Sequence, residues 1–110
     1  MMNGSFFAVF YIIAGAKFKI TAIGSGAFKD FVKLKKVTIG LNVTKIGSSA
    51  FKGCINLKNI NIKSKKIKTF GAKSFKKING NATIKTPKIK KNKYKRIIKK
   101  AGAPKSVKFK

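Results

Sequence analysis

The sequence predicts an α/β repeat solenoid, a stack of short parallel strands closed at its C-terminal end by a capping helix. Three observations predict it. Phe28, Phe51 and Phe75 stand 23 and then 24 residues apart, and the pairs Ile23-Gly24, Ile46-Gly47 and Phe70-Gly71 precede them at the same interval. Polar and apolar residues alternate in Lys36-Val37-Thr38-Ile39 and Asn59-Ile60-Asn61-Ile62, the pattern of a strand with one buried face. Near the C-terminus, Tyr94, Ile97, Ile98 and Ala101 recur at helical spacing. A fixed period in this range marks units that cannot bury their apolar side alone and therefore stack, pairing their strands in parallel.

Residues 1–16 carry no charged side chain and have two readings. The run from Phe6 to Ala16 has the length of a signal-peptide core, with Ala14-Gly15-Ala16 as an A-x-A cleavage site, although a basic start is missing. Alternatively it is an upstream strand that packs on the first repeat. Residues 17–85 form three repeats. In each, a short extended piece leads to a glycine turn, an Ala-Phe or Ser-Phe segment and a second strand. Gly24, Gly47 and Gly71 share one phase, which suits a turn requiring positive φ. The predicted inward residues are Ile23, Phe28, Leu34, Val37, Ile39, Ile46, Phe51, Leu57, Ile60, Ile62, Phe70, Phe75 and Ile84. In the third repeat, Ala82 and Ile84 fill the last two places after a two-residue shortening. Residues 86–110 read as a Lys-rich cap: a helix over 88–101 after Pro87, a stop at Gly102 and Pro104, and one more short strand at Ser106–Phe109. Such a cap would cover the last open edge of the stack.

The phrase from Ile46-Gly47 through Ala50-Phe51, Cys54, Leu57, Ile60 and Ile62 resembles the BspA-type leucine-rich repeat. The Lys-rich ending resembles the C-terminal end of such arrays in bacterial surface proteins. The likeness covers about residues 17–110 and implies a leucine-rich-repeat-like fold. It also implies a secreted or cell-surface protein, hence an extracellular location, that adheres to host or microbial surface proteins. Members of the family carry many more repeats, so the chain reads as a C-terminal repeat segment.

Composition narrows the chemistry. The chain has 28 Lys and Arg against one acid, and no histidine. Asp30 alone offers a carboxylate and Cys54 alone a thiol, so one chain supplies no carboxylate pair, no His-based triad and no zinc site. The expectation is no enzyme, no catalytic residue, no metal and no cofactor. Cys54 corresponds to Phe31 and Ile78 in the other repeats, which makes it a core position. Ser49–Lys52 and Ser74–Lys77 match S-x-x-K, but in a chain this rich in Lys the match carries no information. Gly71-Ala72-Lys73-Ser74 lacks the upstream glycine of a phosphate loop. The sequons at Asn3, Asn42 and Asn81 are pattern matches only.

The leading expectation is a non-enzymatic binding and adhesion module that uses its exposed sheet face. Lys36, Thr38, Asn59, Asn61, Thr83 and Lys85 alternate with core residues and should line that face. Expected partners are host or microbial surface proteins and anionic cell-wall or matrix polymers, with no transmembrane span. A basic polyanion- or nucleic-acid-binding protein is the first alternative. Arg96 is the single arginine, so nucleic acid is expected to bind only non-specifically. The second alternative is a structural terminal cap of a longer repeat array, with no ligand of its own.

Overall fold

Alternation of polar and apolar residues gives each repeat a strand with one apolar face, and that face is buried only when strands from successive repeats lie side by side. The computed structural model, which describes the backbone of residues 5–8, 10–13 and 16–110 and the side chains from Ile20 onward, shows this pairing. The strands are β1 (Ser5–Ala8), β2 (Phe10–Ile13), β3 (Ala16–Lys19), β4 (Ala22–Ile23), β5 (Lys36–Ile39), β6 (Lys45–Ile46), β7 (Asn59–Ile62), β8 (Thr69–Phe70) and β9 (Thr83–Lys85). A 3-10 turn at Lys88–Lys90 runs into helix α1 (Lys91–Lys100), and β10 (Lys108–Phe109) follows.

Two sheets run along the repeats. The larger has the order β1-β5-β7-β9-β10, with every pair parallel and Phe6, Val37, Ile60, Ile84 and Phe109 in register. The smaller, β4-β6-β8, aligns Ile23, Ile46 and Phe70. The antiparallel hairpin β2-β3 sits between β1 and β4 in the chain. The Ala14–Ala16 cleavage reading and the Asn3 sequon lie outside the residues whose side chains are described.

Between the sheets the apolar residues close into one core. Leu34, Val37, Ile39, Ile46, Phe51, Leu57, Ile60, Ile62, Phe75 and Ile84 are fully buried, and Ile23 nearly so. Each such side chain contributes about 1.5–3 kcal/mol by leaving water. The repeat phenylalanines form a single file: Phe28 to Phe51 are 5.5 Å apart and almost coplanar, and Phe51 to Phe75 are 5.7 Å apart. Phe28 and Phe70, expected inside, are only half-buried, because each stands at an end of its row of repeats.

Beyond Phe75 the C-terminal segment continues both rows. Ala101 accepts a hydrogen bond from Phe75 N (3.2 Å), just as Ser74 accepts from Phe51 N and Ala50 from Phe28 N. Helix α1 turns Tyr94 and Ile98 inward; Ile97 is half-buried. The Tyr94 ring meets Phe70 edge-on at 5.2 Å. Its hydroxyl donates to Ser64 O (2.9 Å) and accepts from Ile67 N (3.1 Å), fastening the helix to the third repeat. Gly102, at φ 93°, ends the helix in the left-handed region.

Two expectations need correction. Gly24, Gly47 and Gly71 do not adopt positive φ; the left-handed residues are Gly26, Ser49 and Lys73, with Asp30, Gly53 and Lys77 four places on. The glycine column serves close approach instead. A Cβ on Gly47 would stand 2.8 Å from Ser25 Cα, and one on Gly71 would stand 2.6 Å from Ser48 Cα, whereas Gly24 has open space there. The third repeat is also not shortened. Ile84 pairs with Ile60 rather than taking the Ile62 position, since strand pairing preserves the interval already set by the phenylalanines. Ala82 instead takes the buried place of Leu57, with its N–H bonded to Asn79 O as Leu57 N–H is to Cys54 O.

Candidate functional site

Because side chains alternate across a strand, the same pairing that buries Val37, Ile60 and Ile84 turns their neighbours outward on one face. Lys36, Asn59 and Thr83 are Cα partners in one line, and Thr38, Asn61 and Lys85 in the next. All six predicted residues therefore lie on one sheet face. Lys36, Asn59 and Lys85 are exposed; Thr38, Asn61 and Thr83 are half-buried. Five of them, with Ile60 as floor and Lys110 at the end, line a shallow groove of about 230 Å³. Thr38 borders that groove without lining it.

The last strand adds cations that the repeat pattern alone does not supply. Lys108 pairs with Thr83, and Lys110 follows with its N–H on Ile84 O (2.9 Å). The Lys110 carbonyl accepts from Thr86 N (2.9 Å) and Thr86 Oγ1 (3.2 Å), which holds the chain end against β9. A strand reading of Ser106–Phe109 contains the signal for them, since Lys108 and Lys110 fall in outward phase with Val107 and Phe109 inward. A second depression, lined by Lys35, Asn56, Lys58 and Asn59, adjoins the first through Asn59. Asn56 Nδ2 there donates to Val32 O (2.7 Å), and Asn79 Nδ2 to Ile55 O (3.1 Å), one repeat later. These asparagines bind one repeat to the previous one.

The face presents cations, amides and a hydroxyl-bearing threonine pair, with no Asp or Glu side chain in either groove. Such a surface can hydrogen-bond a partner's backbone or amides and attract acidic groups. Among the described residues no cluster of three His, Cys, Asp or Glu side chains could hold a metal. Cys54 lies away from the face and fully buried, its thiol donating to Phe28 O (3.0 Å). Burial pushes that thiol up to about 11, so it is protonated and unreactive at neutral pH. Among the described residues no helix is long and apolar enough to cross a membrane.

No curated protein and no solved structure matches the chain significantly. A family model does. The BspA type leucine-rich repeat region matches residues 13–107, in six copies, a span that reaches through helix α1 to Val107, where the C-terminal segment continues the rows of the repeats.

Proposed function

Because the chain belongs to the BspA-type leucine-rich repeat family, we propose that it is a non-enzymatic adhesion module that binds surface proteins through the outward face of its larger sheet. On this reading the repeats form a solenoid, three units over residues 17–85, with residues 86–110 as its cap and the strand within residues 1–16 as a further rung. The module works outside the cell or at its surface. The observation that carries the reading is the alignment of Lys36, Asn59 and Thr83 beside Thr38, Asn61 and Lys85 on one open face. A row of short polar and long cationic side chains on a paired sheet is rigid, so it recognises a partner with little ordering cost.

The test exchanges the two central amides. Asn59→Asp with Asn61→Glu reverses the electrostatics at the middle of the row while leaving the inward residues untouched. Immobilised full-length chain is offered a panel of extracellular matrix proteins and whole bacterial cells. Binding reduced tenfold or more, with an unchanged melting temperature, supports the reading. Full binding by the folded double variant overturns it.

A further inference from the structure

A second charged surface lies where the chain turns after the phenylalanine of each repeat, at residues that line neither groove of the sheet face. Lys29, Lys52 and Lys76 each follow a phenylalanine of the file. Backbone hydrogen bonds hold them in register: Asp30 N donates to Lys52 O (2.7 Å) and Gly53 N to Lys76 O (2.9 Å). The rings immediately before them set the step along the file at 5.5 and 5.7 Å. Lys73 and Lys77, both left-handed, flank the last member. Stacking thus concentrates five ammonium groups at an edge where the acid beside them is Asp30. Their mutual effect shows at the centre of the file. The Lys52 ammonium is held below the ordinary lysine value, first by desolvation and then by Lys73, Lys29, Lys76 and Lys77. The backbone fixes their spacing, so the ammonium groups can draw apart only as far as their flexible stems allow, and an anion laid along them relieves the repulsion of every member together.

We propose that this lysine file binds an extended phosphate polymer lying along the stacking direction. The residue chemistry suits phosphate. Lysine offers a compact ammonium that engages phosphate as a point charge, without the planar fork that reads bases. The rings beside the file, Phe28 and Phe31, are half-buried and stack on each other with centroids 6.4 Å apart, so the file presents ammonium groups ahead of open aromatic faces. Recognition rests on repeated charge along a line, and binding should scale with the number of phosphates that reach the file.

The experiment measures binding of linear inorganic polyphosphate to the full chain over a range of salt concentrations. One triple variant removes the file: Lys29→Gln, Lys52→Gln and Lys76→Gln. A second removes equal charge elsewhere: Lys33→Gln, Lys45→Gln and Lys68→Gln, all exposed. Both must keep the wild-type melting curve. The file variant is expected to lose affinity at least about tenfold at moderate salt and to show a salt dependence flatter by about two to three released ions, while the control loses about threefold or less. Equal losses in the two variants would mean that overall charge alone attracts the polymer, and would overturn the proposal. So would tight binding of monomeric phosphate that polyphosphate does not exceed. Asn59→Asp with Asn61→Glu should leave polyphosphate binding within about twofold, since that pair lies outside the file and changes only the long-range field. The file and the protein-binding face therefore fail or succeed separately.

Discussion

Ser74 occupies the column of Ala27 and Ala50, yet its Oγ is buried with no hydrogen-bond partner among the described residues. An unpaired buried hydroxyl costs about 1–3 kcal/mol, and its removal leaves little empty volume. Ser74→Ala is therefore expected to raise stability by about 1 kcal/mol in denaturant unfolding, and a loss would show that a partner exists. Tyr94 presents the opposite case. Its hydroxyl satisfies both Ser64 O and Ile67 N, so Tyr94→Phe strands a buried acceptor and a buried donor and should cost about 1–3 kcal/mol. Cys54 gives a pH dependence whose sign is fixed. Its thiol ionises near 9.0 when unfolded and only at about 11 when folded, so between those values the unfolded chain binds fewer protons. Stability must then fall as pH rises through that window. Lysines also titrate there, so the informative quantity is the difference between wild type and Cys54→Ala from pH 8 to 11. The contribution of Cys54 should shrink by about 1–3 kcal/mol across the range; a flat difference would mean the thiol is solvated.

At the scale of the repeat element, the glycine column makes a contrast within one residue type. Gly47 and Gly71 face the backbone of the preceding repeat, so an added Cβ must push two main chains apart. Gly47→Ala and Gly71→Ala should each cost about 3 kcal/mol or more, the upper end for overpacking, because backbone cannot yield as a side chain can. Gly24→Ala, with open space at the same phase, should change stability by less than about 0.5 kcal/mol. Three equal effects in thermal unfolding would restore the turn explanation for this column. The contrast also marks what the sequence reveals. Strands β5 and β7 are legible because alternation and period agree, and the outward row follows from them without further information. The purpose of the glycines is not legible, since spacing reports recurrence but not conformation. At the turn that follows the column the residues that do adopt positive φ, Gly26, Ser49 and Lys73, share no residue type and so give no signal. The third repeat misleads because Ala82 and Ile84 alternate like a strand, although Ala82 belongs to the preceding turn. Lys29, Lys52 and Lys76 are visible only once the register is known, because one more lysine after a phenylalanine has no contrast in this composition.

For the whole molecule the governing quantity is charge. A formal net charge of +27 on 110 residues opposes compaction, and Asp30 is the one side-chain carboxylate available to offset it. The apolar interior must therefore hold the chain together against a repulsion that acts across its full width, 42 × 30 × 21 Å. Exposed charges are screened beyond about 10 Å at 0.1 M salt and beyond about 3 Å at 1 M, so most of that repulsion is removable without touching the core. Thermal unfolding in sodium chloride should accordingly show a midpoint that climbs steeply at low concentration and levels off by a few hundred millimolar. A gain of 1 kcal/mol moves the midpoint by about 4–8 °C in a domain of this size, which places the expected rise within easy measurement. The shape of the curve matters more than its height. Salting-out of apolar surface strengthens burial progressively as salt is added, whereas screening saturates once the Debye length falls below the spacing between charges. A midpoint that is constant, or that rises linearly to molar salt with no early climb, would show that the lysines stand far enough apart in solvent to ignore one another. The chain would then tolerate its charge through spacing alone, and the repulsion inferred at Lys52 would have to be a local property of the file rather than a share of the general field.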